Sequence, residues 1–171
     1  MKRQWSKFKA ELRERWAPSV RDHLDIHQAT YRSTESGRLW FTWKGVEIYS
    51  FDDLKTHMRT YPLRAELEAL GEDSEAASAG AMAAARAEGQ DWVSGFGSSA
   101  RDFLGLKVAE AVRSEDPIIR GLSMVDRRAG KRTVTSVELQ RESHPFVRQL
   151  RHIRCQAEGW SAPQVTFIDP D

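Results

Sequence analysis

A single cysteine, Cys155, is all the thiol chemistry in this 171-residue chain. An internal disulfide is excluded, and the composition fits a reducing, cytoplasmic setting. A lone cysteine in a helical context reads as a small buried hydrophobe before it reads as a nucleophile. Long apolar runs are missing too. None approaches the roughly 18 residues that a membrane helix needs, and Met1 to Trp5 lead into no apolar signal region, so no membrane partner is expected. The glycines between Gly89 and Gly105 are followed by no lysine in the GKS or GKT order of a phosphate-cradling loop. His23 and His27 share an ion only on a helix, and the strand expected there holds them about 13 Å apart. Asp25 and Glu47 make no nuclease site of the familiar kind, because Glu47-Ile48-Tyr49 lacks the lysine two residues on that such a site needs. Serine, histidine and acid stand in no arrangement that identifies a triad. No metal, cofactor or catalytic residue is assigned from the sequence.

What is present centres on residues 116–132. Asp116 is placed to cap a helix and Pro117 to occupy its first position. Ile118, Leu122 and Val125 recur at i, i+4 and i+7 with Ile119 beside them, which predicts a buried helix from about Pro117 to Arg128, with Gly130 as its left-handed C-terminal residue. Its last turn runs into fixed charge: Asp126, Arg127 and Arg128, with Lys131 and Arg132 just beyond. Two readings stay open. One is a C-cap and an ion-pair clamp, in which Asp126 meets an arginine of another element. The other is a site where forked arginines grip a phosphate or carboxylate.

Charge is unevenly spread. Residues 1–22 hold seven Lys/Arg against three Asp/Glu, residues 23–115 ten against fifteen, and residues 116–160 nine against five. Basic ends around an acidic middle are either balanced within the molecule or available to a polyanion.

In chain order, Trp5, Phe8, Leu12 and Trp16 form one face of an N-terminal helix that stops at Ala17-Pro18-Ser19. From Leu24 to Phe51 the period becomes two. Leu24 and Ile26 share a strand face, Ser36-Gly37 marks a turn, and Lys44-Gly45 makes a two-residue hairpin loop between Leu39–Trp43 and Val46–Phe51. Trp40 and Trp43, three apart, cannot share a face of a regular strand, so one of them is a candidate aromatic for the open face. Ser50 to Asp53 opens a helix through Leu54, Met58 and Tyr61, and Pro62 begins a new turn with Leu63, Leu67 and Leu70. Residues 72–89, rich in alanine, read as a weakly packed surface helix or a linker. Another helix begins near Ser98, Thr133–Leu139 is ambiguous, and Pro145 opens a helix ended by Gly159. That last helix carries Phe146, Leu150 and Ile153 on its core side and Arg148, Arg151, His152 and Arg154 on faces read as exposed. Glu158 near its end is a candidate partner for Arg127 or Arg128.

The expected fold class is α+β: an N-terminal helix, a three-stranded antiparallel meander, then a mostly helical second half packed against the sheet. Residues 1–160 are read as one domain and 161–171 as a tail. Trp5-Ser6-Lys7-Phe8-Lys9, Gly37-Arg38, the Asp116–Lys131-Arg132 segment, His144-Pro145 and Arg154 to Gly159 resemble a widespread family of small uncharacterised bacterial proteins over about residues 4–160. The resemblance implies a bacterial cytosolic protein and carries no activity to transfer.

Three functions of different class are compatible with these features. The first is a non-enzymatic interaction protein with a protein partner. The second is a nucleic-acid-binding module using the basic ends, with Arg127, Arg128, Lys131, Arg148 and Arg151 in contact and Trp40 or Trp43 as a stacking platform. The third is an enzyme on a small anionic substrate near Asp126, Arg127 and Arg128. Asp126, Arg127, Arg128, Lys131, Arg132, Arg148, Arg151 and Glu158 form the candidate anion or partner site.

Overall fold

The computed structural model describes residues 2–31, 36–136 and 142–161, with side chains from Gln4 onward. The chain is α+β: an N-terminal helix, a three-stranded antiparallel sheet, then a mostly helical second half. It gathers into two compact units, residues 25–99 and residues 1–24 with 100–171.

In the unit of residues 25–99, the sheet runs in the order β1 (Leu24–Thr30), β2 (Gly37–Trp43), β3 (Val46–Asp52). Lys44 and Gly45 both take positive φ, 51° and 81°, as a two-residue hairpin loop requires. Leu39 pairs with Phe51 and Phe41 with Tyr49, and the register then slips so that Thr42 faces Glu47. Ile48 is the extra residue of this bulge. The slip moves Glu47 onto the face of Arg38, Trp40 and Thr42, where Arg38 takes it as an ion pair.

The opposite face is apolar. Leu39, Phe41 and Phe51 are buried there, with the Phe96 ring 5.7 Å from Phe41 and 5.3 Å from Phe51. Phe96 belongs to α5 (Val93–Gly105), which starts five residues before the Ser98 expected from sequence. Asp53 fixes this corner: its carboxylate accepts from Gly37 N at 2.6 Å and from Val93 N at 2.8 Å.

α3 (Asp53–Ala69) is one continuous helix of 17 residues, so Pro62 lies inside it instead of starting a new turn. Its cap is Asp52, whose carboxylate accepts from Leu54 N and Lys55 N. Pro62 is exposed, so water reaches the Met58 carbonyl that its missing N–H leaves unpaired. Beside α3 lies α4 (Ser74–Ala87), the alanine-rich stretch, which buries Ala77, Ala81 and Ala85 at i, i+4 and i+8. Small side chains allow a close approach: a Cβ on Gly80 would stand 3.0 Å from Leu67 Cδ1.

The other unit holds α1 (Lys2–Arg15), α2 (Pro18–Arg21), α6 (Val108–Val112), α7 (Pro117–Val125), α8 (Lys131–Val134) and α9 (Pro145–Glu158). Leu12 and Trp16 of the N-terminal stripe are fully buried. α7 is capped by Asp116, which accepts from Ile118 N and Ile119 N, and Pro117 takes its first turn. It ends at Val125, three residues short of the expected Arg128. Gly130 is extended (φ −81°, ψ 172°) and opens α8, so it is not the left-handed residue expected. The reason is a competing partner: Trp16 and Asp126 form an antiparallel bridge, with Ala17 N to Val125 O and Arg127 N to Arg15 O both 2.8 Å. α7 crosses α9 at Gly121, where a Cβ would meet the Phe146 ring at 2.4 Å. α9 closes, as its sequence predicts, with Gly159 at φ 65°. The end of the ambiguous 133–139 segment and the tail after Ser161 lie outside the described residues.

Candidate functional site

The charged block after α7 is a closed knot. Asp126 is fully buried, and its bridge to Trp16 fixes its backbone. Its carboxylate is gripped by the guanidinium of Arg128, with Nε at 3.0 and 3.1 Å from the two oxygens and Nη2 at 2.7 Å, and it also accepts from Arg128 N at 2.8 Å. The partner expected on another element is thus two residues away on the same turn. Arg128 also donates to the Leu106 carbonyl. The hydrogen bond to Asp126 raises the Arg128 pKa despite partial burial. Both Asp126 oxygens are engaged, so the group has no open lone pair aimed at a substrate.

Arg154 and Arg151 sit beneath this turn. The sequence reading placed both on an exposed, arginine-rich face of α9, but they are 5% and 7% exposed. What holds them inside is carbonyl oxygen. Arg154 reaches Val125 O, Asp126 O and Ala129 O at 3.4 Å, and Arg151 donates to Val134 O at 2.8 Å. Cations here satisfy the carbonyl-rich end of α7 and the turn after it. Burial lowers both guanidinium pKa values, and Glu158 and Asp126 partly restore that of Arg154. Glu158 Oε1 lies 3.1 Å from Arg154 Nε and accepts from Ser19 Oγ at 2.6 Å, so it serves neither Arg127 nor Arg128. Burial pushes the Cys155 thiol up, which leaves it a poor nucleophile. The candidate residues therefore separate. Asp126, Arg151 and Glu158 are built into the packing together with Arg128, Arg148 is half-buried, and Arg127, Lys131 and Arg132 are exposed.

On the sheet, Trp40 lies on the polar face. His27 stacks on it at 5.3 Å and Arg38 stands 5.4 Å from the ring centroid. His27 is further held by Thr42 at 3.0 Å. The Trp40 ring is thus already in stacking contact within its own sheet. Trp43 points the other way, with Lys44 Nζ 5.6 Å from its ring.

The feature that the sequence reading missed is α3. It buries Thr56 and Thr60, half-buries Leu63 and Leu67, and exposes three large apolar side chains: Leu54 is 54% exposed, Met58 68% and Tyr61 67%. Thr56 ties this face to the chain before α5 by donating to Asp91 O at 3.0 Å, and Thr60 satisfies its hydroxyl within the helix on Thr56 O at 2.8 Å. Asp91 is fixed in turn by Arg86. Along one edge of the exposed stripe, α3 and α4 leave a cleft of about 190 Å³, walled by His57, Tyr61, Trp92 and Met82, with Arg64 and Ser78 at its rim. Trp92 Nε1 points at Met82 Sδ, 3.1 Å away. The signal for this face was available. Leu54, Met58 and Tyr61 lie half a turn away from Leu63 and Leu67 on an unbroken helix, so only one set can be inside, and Leu63 and Leu67 are the half-buried ones.

Among the described residues, no cluster of three His, Cys, Asp or Glu could hold a metal ion, and no helix is long and apolar enough to cross a membrane. Fold and surface together define an α+β protein with a buried internal charge network and, among the described residues, an exposed apolar helix face. A family model for the SF0329 protein family matches residues 4–155, and the chain belongs to that family. Neither a curated protein nor a solved structure matches it.

Proposed function

We propose that this protein is a non-enzymatic interaction protein that docks a protein partner on the exposed face of α3. The observation that carries the reading is the inversion of that helix. A soluble protein turns its apolar stripe inward unless something covers it, and contiguous exposed apolar surface marks interaction sites. Here Thr56, bonded to Asp91 O, and Thr60 are buried while Leu54, Met58 and Tyr61 face water. The buried state of Asp126 supports a structural clamp and gives no support to acid–base chemistry there. A bacterial cytosolic setting belongs to the same proposal, supported by the single buried Cys155. The test is a photo-crosslinking residue at position 58, with one at exposed Gln156 as control, in cells of the source organism. A discrete adduct of one mass at 58, lost when Leu54→Glu is added, is the expected result. No adduct, or the same adducts from both positions, would end the reading.

A second reading has one observation of its own. Arg127, Lys131 and Arg132 are exposed within six residues of chain, a local concentration of positive charge suited to phosphate contacts. Salt-sensitive binding of an oligonucleotide that is lost in Arg127→Glu/Lys131→Glu would support a nucleic-acid module. Binding that survives those changes would remove it. Arg151, buried against Val134 O, contributes nothing to such a surface.

A further inference from the structure

We infer that the partner on α3 is an amphipathic helix with acidic residues along both sides of its apolar seam, one of whose large apolar side chains seats in the cleft between α3 and α4. This rests on the docking reading and names its occupant. Leu54, Met58, Tyr61 and Ala65 are spaced 4, 3 and 4 apart, the alternation that meets another helix in a coiled-coil seam. The positions flanking that seam are Lys55 and Pro62 on one side and His57 and Arg64 on the other, all four exposed. No acid stands among them. Arg64 is partly offset by Glu68, whose carboxylate its Nε reaches at 2.9 Å, and Glu68 closes the stripe at the next seam position.

Flanking charge sets partner choice and orientation. A second copy of α3 laid on the first would offer Lys55 and Arg64 no opposite charge, because the flanks hold only Lys55, Pro62, His57 and Arg64 and no carboxylate. An acid-flanked helix meets opposite charge on both sides. The cleft narrows the class further. Its 190 Å³ is well below the roughly 300–1,000 Å³ of sites that enclose drug-sized ligands, and it suits one large side chain. Rigid aromatic walls from Tyr61 and Trp92 beside a polarizable Met82 make the kind of pocket in which an interface anchor sits.

The test uses the full chain and two labelled 21-residue helical peptides with leucine along the seam, one flanked by glutamate and one by lysine, read by fluorescence anisotropy. The glutamate peptide is expected to bind roughly five- to tenfold more tightly, with the preference reversed in Lys55→Glu/Arg64→Glu and both peptides lost in Met58→Glu. Circular dichroism confirms that each variant is folded. Equal or tighter binding of the lysine peptide overturns the acidic-flank inference while leaving the docking reading in place. A crosslinked adduct at position 58 with twice the chain's mass overturns it in favour of a second copy. Binding of neither peptide, alongside a discrete heterologous adduct at 58, overturns the helical partner class alone, whereas no adduct at all fails the docking reading itself.

Discussion

α7 and α3 begin alike and end differently. Each is opened by an aspartate that accepts from the two N–H groups at the start of its first turn, Asp116 from Ile118 and Ile119, Asp52 from Leu54 and Lys55. From there α7 buries every residue except Arg120, while α3 fully buries only two threonines and exposes Leu54, Met58 and Tyr61. A cap decides where a helix starts, and the neighbour decides which face goes inside. α7 meets α9 through Gly121 and the Phe146 ring, a contact with no slack. α3 meets an alanine surface whose small side chains leave a cleft, and its Thr56 hydroxyl is tied to Asp91 O, past the end of α4.

The largest effect that separates the two helices is expected from one methyl group. Gly121→Ala puts a Cβ 2.4 Å from a rigid aromatic ring and should destabilise by about 3 kcal/mol, the upper end of overpacking costs. Gly80→Ala on α4 meets only the flexible end of Leu67 at 3.0 Å, and helix propensity favours alanine by about 1 kcal/mol, so stability should stay within about 0.5 kcal/mol of the parent. Urea denaturation measures both. Similar midpoints for the two variants would erase the contrast between a filled and an unfilled helix contact.

Next comes Asp126→Ala, expected to cost about 2–3 kcal/mol by the same assay. It strips Arg128 of its chelate and leaves the Arg128 N–H unpaired. The cost falls short of a fully buried pair because the Arg128 side chain is 29% exposed and water can take over part of the loss. A neutral result would mean that the knot is not a structural clamp, and the anion-site reading of Asp126, Arg127 and Arg128 would gain ground.

A smaller effect, set by pH, belongs to the α7 side alone. Burial raises the Glu142 pKa, but the hydrogen bonds from Arg120 and from His144 N and the charge of Arg120 outweigh it, so the net shift is downward from 4.5. A carboxylate lowered in the folded state contributes stability above its unfolded value and loses it as pH falls through the folded one. Unfolding midpoints should therefore drop below about pH 4.5 more steeply in the parent than in Glu142→Gln, which has no such proton to take up. Parallel pH profiles would remove Glu142 as a linked group.

Elements whose signals are local were legible in the sequence. The hairpin at Lys44-Gly45, the Asp116-Pro117 start and the Gly159 stop each rest on a backbone preference of one or two residues, and each stands where expected. Misplaced features depend on partners far along the chain. The end of α7 moved because Arg15 to Ala17 offered its backbone a bridge. Arg151 and Arg154 look like a solvated face in a helical projection, yet the carbonyls of residues 125–134 draw them in. Among the candidate site residues, chemistry and spacing drew attention to the charges after α7 but expected Asp126 to meet an arginine of another element, whereas Arg128 takes it within the same turn, since burial is a property of the assembled turn. The α3 face was hidden by a single assumption, that Pro62 breaks the helix. Once the helix is continuous, Leu54, Met58 and Tyr61 stand opposite the half-buried Leu63 and Leu67, and one set must be outside.

The smallest effect on stability is the sharpest for function. Met58→Glu replaces a side chain that is 68% exposed, so the unfolding midpoint should shift by less than about 0.5 kcal/mol. Little apolar surface is newly uncovered, because the side chain already faces outward. Crosslinking from position 61 in the same variant should lose its adduct, since a carboxylate in the middle of the seam must be desolvated on docking without a cation to meet it. The two readouts bear on different links of the argument. A midpoint lowered by more than about 1 kcal/mol would show that Met58 is already packed in solution, and α3 would then differ from α7 only in what it packs against. An unchanged midpoint with an unchanged adduct would leave the helix inverted but its exposed face idle, and the partner would have to be sought on the basic turn of Arg127, Lys131 and Arg132.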